Sequence, residues 1–257
     1  MTEVIVLQPG EIDEGTLVPL WCRAQCRVLY PQLGIGEADA AILSHLRADF
    51  SAARQSEPLL YALRQAALTG IAREFLSEHP DGTLIDLGCG LDASLRLVDN
   101  GRCRMVYADT PEVIALRARL IPPLWRETYL AADALDVGSL AGIDAPGGVL
   151  VLMAGLVCHL PEDAVSSLLS GLAGLFPGGE AAFDGLGGAA RLFSSGMGVK
   201  SYLPGAAALS GLRGMRAVRA LKSLPANFST LPRGKRFKLR LLLGARVLRL
   251  YSCRFDA

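Results

Sequence analysis

Apolar residues change their spacing along this 257-residue chain, and the change divides it. Over the first eighty residues they recur every three or four places, the period of a helix with one buried stripe. Leu17, Leu20, Trp21, Ala24 and Val28 predict a helix over Thr16 to Tyr30, closed by Pro31. Ala40, Ile42, Leu43 and Leu46 predict a second over Glu37 to Leu46. A third starts at Pro58, runs through Leu59, Leu63, Ala67, Ile71, Phe75 and Leu76, and ends before His79-Pro80-Asp81-Gly82. Residues 1–15 read as irregular, with a turn at Pro9-Gly10.

From residue 83 the pattern becomes short apolar runs bounded by turn residues. Leu84–Leu87, Met105–Ala108, Thr128–Ala132, Gly148–Met153 and Glu180–Phe183 read as strands. Gly148–Met153 carries no polar side chain, as expected at the centre of a parallel sheet. Helices are expected near Ser94–Val98, from Pro111, and from Pro161-Glu162-Asp163 to Leu175. Strands separated by helices imply an α/β fold with a mostly parallel sheet. Residues 185–212 are rich in Gly and Ala and give weak signals. Met215–Leu221 reads as a strand, and Val247–Phe255 as a terminal edge strand. The expected organisation is an N-terminal helical cap, 1–82, over a sheet domain, 83–257.

Composition narrows the function classes. A net charge of +1 gives no whole-chain footprint for nucleic acid. Mean hydropathy is high at +0.34, yet the longest apolar stretch, Ala145 to Cys158, is too short to span a membrane and contains Pro146. No membrane partner is expected. Met1-Thr2-Glu3-Val4 lacks the basic and apolar segments of a secretion signal, so the expected compartment is the cytoplasm. Six scattered cysteines then read as reduced, small apolar packers. Cys22 and Cys26 fall one helical turn apart, but His45, His79 and His159 show no ligand spacing, and no metal is expected. A basic run, Arg233, Lys235, Arg236, Lys238 and Arg240, falls on a helix. It reads as a solvated face or as a contact for an acidic substrate or partner.

The candidate chemistry lies in Thr83-Leu84-Ile85-Asp86-Leu87-Gly88-Cys89-Gly90-Leu91-Asp92. Here a buried strand stops at a glycine turn, and Gly88 and Gly90 let a ligand approach bare backbone. Asp109 ends the next strand, where a ribose diol takes a carboxylate acceptor. Gly88-x-Gly90-x-x-Ala93 also satisfies the dinucleotide fingerprint, so NAD and a plain structural turn stay open. Asp86 favours S-adenosylmethionine, because a carboxylate before the first glycine suits a cationic amino-acid end and repels a pyrophosphate. The long helical segment ahead of the strand favours it too.

Gly88-Cys89-Gly90-Leu91-Asp92, Asp99-Asn100-Gly101-Arg102 and Asp109-Thr110-Pro111-Glu112-Val113-Ile114 closely resemble the leucine carboxyl methyltransferase family. The nearest branch is the tetracenomycin-type polyketide O-methyltransferases, which Phe176-Pro177-Gly178-Gly179-Glu180 with Phe183-Asp184 also fits. The resemblance covers roughly residues 16 to 184 and, more loosely, the terminal strand. It implies a Rossmann-like class I methyltransferase sheet with an antiparallel terminal strand, and S-adenosylmethionine as cofactor. It places Arg64 on the cofactor carboxylate, Gly88 and Gly90 against the cofactor, Asp109 on the ribose, and Asp133 and Ala134 at the adenine. Asp133 has a second reading as a helix cap. The family often has Thr and Arg after Gly-Leu-Asp, a Glu after the fourth strand and a Tyr beyond it; here stand Ala93, Ser94, Ala154 and His159.

The implied activity is O-methylation of a small-molecule carboxylate or phenol. A carboxylate acceptor is anionic at neutral pH and needs no base; a phenol needs one, and His159 is the candidate. Trp21, Tyr30, Phe50 and Tyr61 of the cap are candidates for an acceptor pocket, or for core. The alternative from another class is a cofactor-binding or scaffold protein that keeps the fold without turnover. No signal in the sequence points to a particular oligomeric state.

Overall fold

The computed structural model describes residues 4–8, 10–192, 199–221 and 223–257. Pro9 of the expected turn lies outside the described residues.

The chain opens with β1 (Ile5–Val6), α1 (Glu14–Leu29), α2 (Glu37–Ser44) and β2 (Leu46–Arg47). Asp13 caps α1 by accepting from the Gly15 N–H, satisfying a donor that the first helical turn leaves free. α1 buries Leu17, Leu20, Cys22, Ala24 and Cys26, so the two cysteines do share a face. Val28 does not follow the stripe: it sits in the last turn and is 73% exposed. Leu46 is not helical either. α2 stops at Ser44, and the His45 carbonyl accepts from the Ile5 N–H, which starts a two-stranded parallel sheet of β1 and β2. So short a pairing leaves no periodic signal, and residues 5 and 6 were expected to be irregular.

α3 (Pro58–Glu78) follows, with Pro58 at its first position. Then come β3 (Thr83–Leu87), β4 (Arg104–Asp109), α4 (Pro111–Leu120), β5 (Glu127–Ala131), β6 (Val149–Met153), α5 (Glu162–Leu175) and β7 (Glu180–Leu186). Between β3 and β4 the expected helix is a 3-10 segment, Ser94–Val98. The chain ends with α6 (Ala206–Leu209), β8 (Met215–Ala220), α7 (Arg233–Gly244) and β9 (Leu248–Phe255). Among the described residues, no helix is long and apolar enough to cross a membrane.

Seven strands form one sheet in the order β5-β4-β3-β6-β7-β9-β8. β3 to β7 are parallel, and β9 runs antiparallel between β7 and β8. The terminal strand is therefore antiparallel, as the family resemblance implied, but internal, and the edge falls to β8. β8 carries exposed Arg216 and Arg219 and a register shift between them, features that discourage pairing with another chain.

β3 and β6 are buried at every position, yet successive residues still face opposite ways. Leu84, Leu150 and Leu152 pack with Leu63, Leu68 and Phe75 of α3 on one face. Ile85, Leu87, Val151 and Met153 pack with Val165, Leu168 and Leu172 of α5 on the other. A third cluster joins Leu17 and Leu20 of α1 to Ile42, Leu91, Ala93 and Leu116. It fixes the cap directly over the glycine turn.

Candidate functional site

The strand order reverses between β3 and β6, since β4 and β5 extend to one side and β7 to the other. In open α/β sheets this switch point opens a crevice at the carboxyl ends of the strands. The glycine turn sits there. Gly88 has φ +73°, and its N–H donates to the Ala108 carbonyl at 2.8 Å. Gly90 has φ +51°, a left-handed conformation that a side chain disfavours. Leu156, from the loop after β6, lies over Gly88, and Thr16 of α1 lies near Gly90.

Asp109 closes β4 and grips this turn. Its carboxylate accepts from the Gly90 N–H at 2.8 Å and from the Thr110 N–H at 2.8 Å. Burial pushes its pKa up, while the two N–H groups and Arg117 oppose the shift. From beneath, Arg117 of α4 donates to the Gly90 carbonyl at 3.0 Å and stacks 4.0 Å from the Tyr107 ring centroid. Arg117 is wholly buried, and its Nε and second Nη have no hydrogen-bond partner among the described residues.

Asp86 is the penultimate residue of β3, next to the same turn, and is 6% exposed. Its carboxyl has no hydrogen bond among the described residues. Burial, then the neighbouring Asp92 charge, push its pKa up to about 7 against the pull of Arg117. Asp92 is held the other way. Burial works against its charge, but Arg23 and the Ser94 N–H lower its pKa.

Arg23 crosses from α1 into this region. It pairs with Asp39 of α2 at 2.8 Å and with Asp92 at 3.3 Å, and the Arg23 and Asp39 side chains are each 4% exposed. Burial disfavours its charge, but the two carboxylates outweigh that and keep it ionised. The sequence signal for Arg23 was a cation inside an apolar stripe, between Cys22 and Ala24. Arg117 sits likewise one residue past Leu116 on the buried side of α4. Both escaped the sequence reading.

Arg64 reaches the other side of the switch point. Its guanidinium lies 3.6 Å from the Asp184 carboxylate and 5.1 Å from the Tyr61 ring. Asp184 also accepts from the Gly155 N–H at 2.6 Å. β7 runs on to Leu186, past its expected end, so Asp184 lies within the strand and is buried. Gly155 has φ +74°, and a β-carbon there would collide with Arg64. Ala154 precedes it, half-buried against the α3 face. His159 ends a 3-10 segment, Val157–His159, and is exposed.

Asp133 follows β5. It is exposed, and its carboxylate accepts from the Leu135 N–H at 2.9 Å in a turn; the helix cap of its second reading falls instead to Asp136, before the 3-10 segment Val137–Leu140. The Ala132 N–H donates to the Asp109 carbonyl at 2.8 Å, which ties this segment to the end of β4. Ala134 beside it is half-buried. Asp86, Gly88, Gly90 and Asp109 are thus contiguous, Asp133 and Ala134 adjoin them, and Arg64 and Ala154 meet across Gly155. A recess of about 430 Å³ lined by Thr83, Arg104, Val106, Trp125 and Ile143 lies at the opposite, amino ends of the strands.

Comparison with known proteins bears on this arrangement. A methyltransferase dependent on S-adenosylmethionine from Mesorhizobium loti superposes with a TM-score of 0.54 at 18% identity, covering 74% of this chain and 99% of that one. The CurJ carbon methyltransferase reaches 0.58 at 11%, covering 95% of this chain and 67% of that one. An O-methyltransferase family protein from Burkholderia thailandensis reaches 0.51 at 16%, covering 93% and 72%. The chain has the class I methyltransferase fold. No family model matches it. By sequence it is similar to the tetracenomycin polyketide synthesis O-methyltransferase TcmP of Streptomyces glaucescens, 29% identical over 177 residues. That alignment covers 67% of this chain and 65% of TcmP, so the chain spans less than two thirds of that relative's length. In open α/β sheets generally, ligands bind in the crevice at such a switch point.

Proposed function

We propose that this chain is an S-adenosylmethionine-dependent O-methyltransferase that acts on a carboxylate or phenol of a small molecule, in polyketide or related specialised metabolism. The observation that carries the reading is the pairing of an unpartnered buried Asp86 with an Asp109-held glycine turn, in a chain similar to TcmP. Six cysteines without a disulfide suit a reducing compartment such as the cytoplasm.

The residues present fit the cofactor. Asp86 supplies an anionic acceptor for its ammonium group, and Arg64 a planar fork for its carboxylate. Asp109 accepts from the ribose hydroxyls, and Gly88 and Gly90 leave their backbone bare for close approach. Asp133 and Ala134 flank the adenine. NAD fits less well, because Asp86 would face a pyrophosphate. When bound, the cofactor supplies an electrophilic methyl group on a sulfonium.

What remains for the protein is to hold the acceptor oxygen in line with that methyl group. Positioning of this kind contributes on the order of 7–11 kcal/mol. A carboxylate acceptor needs only this. A phenol must also lose its proton, and exposed His159 is the side chain assigned to take it. The cap is fixed over the turn by its own apolar cluster, which places it to cover a bound acceptor.

Isothermal titration of the purified chain with S-adenosylmethionine, S-adenosylhomocysteine and NAD tests the reading. Micromolar binding of the adenosyl ligands, abolished in Asp109→Ala and absent for NAD, is expected. Binding of NAD alone, or of none, overturns it. If the acceptor is a phenol, His159→Gln removes the alkaline-rising limb of the pH–rate profile; an unchanged profile ends its role as base.

A further inference from the structure

The net charge of +1 conceals a sharp split. Between Gly185 and Phe255 the chain carries fourteen Lys and Arg and no Asp or Glu. The rest carries twelve Lys and Arg against twenty-five Asp and Glu. Some of the cations are answered within the fold: Arg254 pairs with Glu78 at 3.3 Å and with Glu180 at 2.9 Å. Those of α7 mostly are not. Lys238 meets Glu57 at 3.0 Å, and Lys235 lies 5.8 Å from the Tyr30 ring. Among the described residues, Arg233, Arg236 and Arg240 have no ion pair.

α7 presents these cations in a particular way. Leu239 is buried and anchors the helix to the sheet. Phe237 and Leu241, one turn apart, lie on the opposite side, 69% and 57% exposed. Arg233 and Arg240 border them on one flank and Lys238 on the other. Gly234 and Gly244 leave the two apolar side chains standing out as a ridge. Tyr30 brings the end of α1 beside the start of α7, and there Val28 and Leu29 are exposed too.

We propose that α7 docks on an anionic lipid surface, with Phe237 and Leu241 entering the headgroup boundary and Arg233 and Arg240 meeting lipid phosphates. An apolar ridge edged with cations is the pattern of helices that lie in a membrane interface. Charge complementarity selects an anionic surface, and geometry selects a bilayer over an acidic protein. A convex ridge enters a bilayer without a preformed groove, whereas a stable protein contact buries about 800 Å² per partner, more than two side chains offer. The expectation that no membrane is involved rested on the lack of a spanning run, which does not bear on surface contact.

Vesicle cosedimentation of the full chain tests the proposal. Vesicles of phosphatidylcholine mixed with phosphatidylglycerol are expected to bind it, and phosphatidylcholine alone is not. Salt should weaken the binding. Arg233→Glu with Arg240→Glu should cut partitioning by at least about tenfold, because each basic residue near an anionic surface contributes several-fold. Phe237→Ser with Leu241→Ser should cut it several-fold. All four side chains are exposed, so thermal melts of the variants should match the parent. No binding, equal binding to neutral vesicles, or parental binding by both variants overturns the proposal. Capture on polyglutamate without binding to vesicles, lost in the same variants, also overturns it and assigns an acidic protein instead.

Discussion

With Asp86 as the proposed acceptor for the ammonium group, cofactor affinity should depend on proton concentration. The folded Asp86 pKa of about 7 lies above the ordinary carboxylate value of about 4, so the empty fold holds a proton that the unfolded chain releases. The stability this gives is complete at low pH and is lost as pH rises through about 7. Asp86→Asn keeps a neutral group there at every pH. It should raise the melting temperature of the ligand-free protein at pH 8 by a few degrees, at about 2–4 °C per kcal/mol in a chain of this size. The same variant should weaken S-adenosylmethionine about tenfold or more, since one partner of a buried charge pair is gone. In the parent, affinity should fall as pH drops below about 7, and calorimetry at two pH values reads it. Asp86, Gly88, Gly90 and Asp109 were legible beforehand because a strand, a turn and the next strand end bring them together through local sequence. Arg23 and Arg117 were not. A cation on an apolar stripe looks alike in sequence whether it lies at the rim or beneath it, and only the fold supplies Asp39, Asp92 and the Gly90 carbonyl as partners.

At the scale of elements, Arg23 is the tie between α1, α2 and the segment after the glycine turn. Arg23→Met leaves Asp39 and Asp92 without their cation. It should cost roughly 3–5 kcal/mol in urea unfolding, the usual result of removing one member of a buried pair. Adding Asp39→Leu should recover part of that loss, because the stranded carboxylate goes as well. Gly155→Ala should also destabilise. It forces a side chain into φ +74° and into the Arg64 guanidinium, at a cost on the order of 1–3 kcal/mol. Sequence patterns found the long elements well, because α1, α3 and α5 and the buried strands repeat their period several times. They failed where an element is too short to repeat. β1 and β2 are two residues each, and Ser94–Val98 is only a 3-10 segment.

At the scale of the whole molecule, cap and sheet meet at the glycine turn, so ligand occupancy there should register in global stability. S-adenosylhomocysteine at one hundred times its dissociation constant should add about 2.7 kcal/mol to the unfolding free energy. Asp109→Ala should remove that increment while leaving the empty protein near its parental melting temperature, within the effect of two lost hydrogen bonds. Differential scanning fluorimetry across a ligand series reads both. The topology was only partly legible. Alternation of strands and helices gave the parallel sheet, but the position of the last strand did not follow from its own alternating residues. Such a pattern suits an edge or an interior place, and neighbours in space decide between them.

The placement of β9 also sets a timetable for synthesis. β8 leaves the ribosome before β9, yet it has no partner until β9 lines up beside β7. For the interval in which residues 221–247 are made, the nascent chain presents the open flank of β7 and an orphan β8, both ready to zip onto a neighbouring polypeptide. The exposed arginines of β8 discourage such pairing in the unfinished protein as they do at the finished edge.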